Sequence, residues 1–448
     1  VSVRILIGDC TQRLRDLADN SVDSVCCDPP YHLSSIVKRF GSENSAPAKV
    51  GKTGAYARAS RGFMGQEWDG GDVAFRPETW AEVLRVLKPG GHLVAFSGTR
   101  TYHRMAVAIE DAGFEVRDMI AWHYASGFPK SHDVSKAIDK AKGVKGEFGE
   151  AKSRAHQGWI DRGRMRGDEG HEGYQRPWMQ DEESVANNAR QYLPASPEAQ
   201  EFVGYGTALK PATEPICLAR KPISEKSVAA NVLKWGTGAL NIDGCRIETD
   251  DALTGSGNKP LSFGGDNHRP YHDREPRGPN AGSPLGRWPA NLCHDGSDEV
   301  VAGFPESETH RIEKPCTSDH MRSGYGGTLN GHRGARGYDE EGSAARFFYC
   351  AKATTEERGE GNNHPTVKPV ALMRWLVRLV TPKGGTVIDP FMGSGSTALA
   401  CDAEQFDFIG CELSPDYAAI AERRIRDAAG MFADISIEHC GPATRSAA

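Results

Sequence analysis

The 448-residue sequence has no surplus of positive charge; its formal net charge is −6 at pH 7. It therefore carries no global basic footprint for nucleic acid, and any such contact must rest on local clusters in one cleft. No apolar run approaches the ~20 residues of a membrane span. None of the 11 cysteines forms a Cys-x-x-Cys pair. His310, Cys316 and His320 match no common zinc spacing, so no metal is expected. No secretory signal is expected either, since Val1 to Cys10 runs straight into a strand-like pattern. The expectation is a cytoplasmic protein with reduced thiols. No internal repeat occurs either. What the chain does have is glycine (51) and proline (26), which point to long loops.

Strands and helices alternate to about Lys140. Val3–Ile7 reads as a strand ending at Gly8-Asp9, and Ser24–Cys27 as a second ending at Asp28. Trp80, Val83, Leu84 and Leu87 fall at i, i+3, i+4, i+7, the stripe of an amphipathic helix, and Pro89-Gly90-Gly91 reads as its stop. A strand from His92 to Phe96, a helix from about Thr101 to Ala112 and a strand from Val116 to Tyr124 follow. This alternation predicts a parallel α/β sheet. The middle is polar and glycine-rich with weak periodicity, although Trp159, Trp178, Trp235 and Trp288 argue for order there. Within it Glu214–Lys221 is a strand-like island. After about Phe347 the α/β pattern returns: a helix over Val370–Val380 with Arg374 and Arg378 on one face, strands at Thr386–Asp389 and Phe408–Cys411, and a helix capped by Ser414 with Pro415 at its first position.

The chemistry starts in the last segment. Asp389 ends a strand that leads into Phe391-Met392-Gly393-Ser394-Gly395-Ser396-Thr397 and then a helix. A tight glycine turn there lets a ligand meet backbone and helix N–H groups. About twenty residues beyond Gly393, Glu412 ends the next strand, where an acidic group holds ribose hydroxyls in nucleotide-binding sheets. A dinucleotide needs the longer Gly-x-Gly-x-x-Gly spacing to seat its pyrophosphate. S-adenosylmethionine has no phosphate and needs only close backbone approach and polar donors, which Ser396 and Thr397 could supply.

Near the start, Asp28-Pro29-Pro30-Tyr31 directly follows a strand. Two prolines remove two backbone donors and stiffen the turn, while the Pro29 carbonyl remains an acceptor. A carboxylate beside a fixed carbonyl can accept both hydrogens of an amino group. That draws the nitrogen toward a tetrahedral shape whose lone pair attacks a methyl group in line. Tyr31 offers a flat face for a base taken out of the helix.

With these motifs the chain resembles the amino-methylating DNA methyltransferases, specifically their permuted β class. Tetrad first, irregular middle, His364-Pro365-Thr366-Val367-Lys368-Pro369, then the glycine loop is that class's order. The resemblance covers roughly half the chain, its two flanks. It implies a class I, Rossmann-like α/β methyltransferase sheet built from both chain ends, with an irregular inserted recognition region. The division expected is 1–140 for the catalytic half, 141–346 for recognition and inserts with 214–221 returning to the sheet, and 347–448 for the cofactor half. Cofactor contacts are then expected from Asp9, Cys10, Asp28, Thr366, Lys368, Asp389, Phe391, Gly393, Ser394, Gly395, Ser396, Thr397, Glu412 and Leu413. Thr366 and Lys368 would flank the methionine end, and Asp9 would reach the adenine. Asp389, Glu412, Asp9 and Asp28 each end a strand, and in a parallel sheet strand ends line one edge, where ligands bind.

Asp at the first tetrad position points to adenine N6, since the family's cytosine-N4 members more often carry Ser there. Cytosine-N4 methylation is the alternative. A methylase of RNA or of protein glutamine, or an inactive nucleic-acid-binding relic, fits the long middle and the intact motifs less well. Cytosine C5 chemistry needs a nucleophilic cysteine, and the sole Pro-Cys pair, Pro315-Cys316, sits in a polar region. The expected partner is double-stranded DNA, with a homodimer a further expectation from the resemblance. Arg162, Arg164 and Arg166 in the middle, and Lys38, Arg39, Lys52 and Arg61 in the 33–65 loop after the tetrad, are the candidate DNA contacts. That loop is expected to close over DNA and to be mobile without it.

Overall fold

The computed structural model describes residues 1–31, 72–127, 131–162, 181–249, 285–306, 342–351, 367–429 and 434–439. Its strands are β1 (Ser2–Ile7), β2 (Val22–Cys27), β3 (Leu87–Phe96), β4 (Glu115–His123), β5 (Glu147–Ala151), β6 (Arg190–Leu193), β7 (Thr213–Arg220), β8 (Leu292–His294), β9 (Tyr349–Cys350), β10 (Thr386–Asp389), β11 (Asp407–Glu412) and β12 (Asp434–His439). β5 and β6 pair with each other, and the other ten form one sheet in the order β12-β1-β11-β10-β2-β3-β7-β4-β8-β9. Every pairing in that sheet is parallel except those of β7, which runs antiparallel to both β3 and β4.

This is the α/β sheet that the sequence implies, and both chain ends build it. β1 lies between β11 and β12, while β2 lies beside β10. The central strands are buried along almost their whole length, as strands covered on both faces must be. On one face, helix Val370–Val380 packs Trp375, Leu376 and Val380 against Cys26, Val94 and Val387. On the other, helices Pro77–Val86 and Tyr102–Asp111 pack Trp80, Val83, Met105 and Ile109 against Val25, Leu93 and Ile388. Each such side chain contributes about 1.5–3 kcal/mol by leaving water. Arg374 and Arg378 do share a face, and both clamp Glu404, with Nε distances of 2.7 Å each.

The boundary at Leu87 differs from the sequence reading. Helix Pro77–Val86 ends a residue early, and Leu87 begins β3 instead of closing the apolar stripe. Its extended backbone (φ −73°, ψ 136°) takes the chain straight from helix to strand. Pro89-Gly90-Gly91 is thus no helix stop but lies inside β3, where the register against β2 shifts between Leu87 and His92. Gly90 (φ +82°) is tucked under Asn231, whose amide donates to the Pro89 carbonyl at 2.8 Å. The middle is also more regular than its composition suggests. It holds helices Arg154–Arg162, Glu182–Ala189 and Val228–Trp235, and it sends β7 and β8 into the sheet.

Candidate active site

β10 and β2 are parallel neighbours whose chains leave in opposite directions, one toward β11 and one toward β3. Such a switch point opens a crevice at the carboxyl ends of the strands. A cavity of about 320 Å³ lies there. Asp9, Asp28, Asp389 and Glu412 all line it.

Each carboxylate is fixed locally. Asp389 ends β10 and turns back on its own loop, accepting from the Phe391 N–H at 2.9 Å and the Thr397 hydroxyl at 2.6 Å. Glu412 ends β11 and accepts from the Gly393 and Ser414 N–H groups, both at 2.8 Å, so it ties the glycine loop to its own strand. Burial pushes both carboxyls up to about 7. Asp9 caps the short helix Cys10–Arg13 by accepting from the Thr11 N–H at 2.8 Å. Arg424 reaches Ser394, with 3.1 Å to its hydroxyl, and holds the loop from behind.

Asp28 stands just past β2 and lines the cavity together with Lys368. The Lys368 ammonium binds its Oδ2 at 2.7 Å. Its Oδ1 is buried and has no hydrogen-bond partner among the described residues. The same ammonium donates to the Tyr31 hydroxyl at 3.1 Å and reaches Glu214 Oε2 at 3.1 Å. Tyr31 in turn donates to Glu214 at 3.3 Å. Burial works against the charge on Lys368, but Asp28 and Glu214 overcome it and hold the ammonium protonated well above its ordinary range. The Tyr31 ring lies over Gly98, where an added Cβ would come 3.3 Å from Cδ2.

Of the residues expected to meet the cofactor, Asp9, Cys10, Asp28, Lys368, Asp389 and Phe391 line the cavity, as do Gly393, Ser394, Ser396, Thr397, Glu412 and Leu413. Pro30 does as well. Gly395 does not. It packs against the neighbouring helix, with a Cβ there falling 3.0 Å from Ala421 Cβ. Its glycine serves helix packing rather than ligand approach. Thr366, Lys38, Arg39, Lys52, Arg61, Arg164 and Arg166 lie outside the described residues, as does the 33–65 loop. Sequence reasoning passed over Thr11, Arg76, Met373 and Tyr417 on the cavity wall, and Glu214 behind Lys368. Glu214 had one signal, an acidic residue opening an apolar strand.

The cavity fits the expected cofactor chemically. S-adenosylmethionine carries a sulfonium, an ammonium, a carboxylate and a ribose diol. Four carboxylates suit its cations and diol, and Arg76 is the cation at hand for its carboxylate. The Ser396 hydroxyl is buried without a hydrogen-bond partner among the described residues, an open polar group on the same wall. Among the described residues, no group of His, Cys, Asp and Glu could hold a metal ion, and no helix is long and apolar enough to cross a membrane.

A family model described as DNA methylase matches residues 22–152 and 285–423, over half of the chain. Type II methyltransferase M.HindIII of Haemophilus influenzae is 23% identical over 437 residues, covering 93% of each chain. Other matches are local: Type II methyltransferase M.BglI of Bacillus subtilis is 39% identical over 66 residues, 15% of this chain and 19% of that protein. The DNA adenine methyltransferase YhdJ of Escherichia coli is 38% identical over 66 residues, 15% of this chain and 22% of its own. A solved cytosine-N4-specific PvuII DNA methyltransferase is 13% identical with a TM-score of 0.39, covering 95% of this chain and 86% of that one. The match of the family model across both flanks, joined in one sheet around one acidic cavity, places the chain in the N6/N4 DNA methylase family, whose methyl donor is S-adenosylmethionine.

Proposed function

We propose that this protein methylates the N6 amino group of adenine in double-stranded DNA. The observation that carries this reading is Asp28: Lys368 anchors one oxygen at 2.7 Å and leaves the other buried beside the cavity, without a hydrogen-bond partner among the described residues. A carboxylate held in that way has one free acceptor for one hydrogen of an arriving amine. The Pro29 carbonyl, which no proline N–H competes for within the turn, is the second acceptor. With both hydrogens held, the nitrogen lone pair turns out of the ring and toward the cavity. S-adenosylmethionine supplies an electrophilic methyl group when bound. Asp389 and Glu412 position it, and Tyr31 stacks on a base flipped out of the duplex.

Adenine is favoured over cytosine by the aspartate at position 28, with a DNA adenine methyltransferase among the relatives. The test is Asp28→Ala. Methyl transfer should fall by about 10²–10³-fold or more, the scale of losing one preorganised polar contact to the reacting group. Cofactor and DNA affinities should stay near wild type. Wild-type turnover in that variant removes the mechanism. Mapping the methylated bases in DNA from cells making the protein decides the target: N4-methylcytosine in place of N6-methyladenine would overturn the adenine assignment alone.

A further inference from the structure

Glu214 belongs to no motif of the sequence and lies on the one reversed strand of the sheet. Because β7 runs against its neighbours, its first residues, not its last, reach the edge where the parallel strands end. Glu214 pairs in register with Trp122 near the end of β4, and the next residue, Pro215, accepts from the Ser97 N–H at 2.9 Å just past β3. The carboxylate is thereby carried to the back of Lys368.

Three partners surround the ammonium. Lys368 donates to Asp28 and to the Tyr31 hydroxyl at 2.7 and 3.1 Å, and it forms an ion pair with Glu214 at 3.1 Å. Tyr31, having accepted from Lys368, donates its own hydrogen to Glu214. The rings of Phe96 and Tyr31 flank the ammonium, at 4.9 and 5.5 Å to their centroids. Two hydrogen bonds and the ion pair to Glu214 fix the position of Lys368, and with it the rotamer of Asp28. The charges also count: two carboxylates and one ammonium leave the group with one net negative charge. Methyl transfer moves positive charge onto the target nitrogen, directly against that group.

We infer that Glu214 is a positioning residue for methyl transfer: through Lys368 it holds Asp28 with a single oxygen open to the target amine, and it keeps the trio net negative as the nitrogen becomes cationic. This rests on the reading of Asp28 as the acceptor for the amine. A lysine paired with Asp28 alone would cancel its charge and be free to swing, whereas Glu214 shares the ammonium and pins it.

The experiment is Glu214→Gln, which keeps the shape and removes the charge. The full-length protein is mixed with unmodified genomic DNA and labelled S-adenosylmethionine, and the single-turnover rate is read beside the affinities for each. The expected result is a rate at least tenfold lower with both affinities within threefold of wild type. A rate within twofold of wild type overturns the inference. So does a loss confined to cofactor or DNA affinity, which is what a purely structural ion pair would give. If Glu214→Gln does not fold, Glu214→Asp, which withdraws the charge by one methylene, is read in the same way: a lower rate at unchanged affinity supports the role and an unchanged rate overturns it. Asp28→Ala separates the two levels. If Asp28→Ala is inactive while Glu214→Gln is fully active, only the role of Glu214 fails; if Asp28→Ala is fully active, the underlying reading fails first.

Discussion

A carboxylate at the end of a central parallel strand is cut off from water by the helices on both sides. Asp389 and Glu412 are in that position, and burial brings both to about 7. Their pH behaviour follows with a definite sign. The folded protein holds these two protons more tightly than the unfolded chain, whose carboxyls titrate near 4. They therefore favour folding most below pH 4, and that contribution is lost as pH rises through about 7. Binding a cationic cofactor needs the opposite state, both groups ionised. Arg76 and Lys368 on the same wall are held protonated throughout. Cofactor affinity should thus weaken as pH falls through about 7, with protons released on binding. Calorimetry in buffers of different ionisation heat at pH 6 and pH 8 measures both effects. Equal affinity and no proton release at pH 6 would contradict this electrostatic account.

Between strand and helix, the glycine loop asks more of Gly395 than the turn before β10 asks of Gly384. Gly395 sits in the left-handed region (φ +81°) at the start of helix Ser396–Glu404 and touches helix Pro415–Ala429 through Ala421. Gly384 is also left-handed (φ +70°), but an added Cβ there meets nothing within 4 Å. Alanine at position 384 should therefore cost only backbone strain, of order 1 kcal/mol, whereas Gly395→Ala should cost roughly 1–3 kcal/mol as strain and crowding combine. Denaturant unfolding of the two variants ranks them, and a Gly384→Ala protein less stable than Gly395→Ala would refute the packing argument. The same contrast shows what the sequence could tell. The acidic residues ending strands, the glycine turn and the Arg374–Arg378 face are local patterns, and each was legible. Leu87 was not, because its spacing continues the apolar stripe of Trp80 and Val83 while its backbone belongs to the next strand. The task of Gly395 was hidden because contact with Ala421 joins two helices. Glu214 was hidden for a larger reason: it matters only because β7 is reversed and stands between β3 and β4, a fact set by long-range pairing.

The sheet as a whole is assembled from distant stretches of chain. β1 fills the slot between β11 and β12, with Val3, Ile5 and Leu6 buried there. The cavity likewise needs Asp9 and Asp28 from one flank and Lys368, Asp389 and Glu412 from the other. A fragment of residues 285–448 should therefore neither unfold cooperatively nor bind S-adenosylmethionine, since it would expose the slot and lack half the wall. Circular dichroism and calorimetry on that fragment check this, and cofactor binding by it would show the flanks to be independent. The reversal of β7 has another consequence, for how the protein can grow. The chain of 124–212 leaves from the end of β4 and returns at the start of β7, so both its roots stand at the edge that holds Glu214. The chain of 221–291 leaves from the end of β7 and returns at the start of β8, so both its roots stand on the far edge of the sheet. Residues gained or lost in the first stretch over evolution are rooted beside Glu214 and Lys368, whereas the second stretch is rooted at a distance from them.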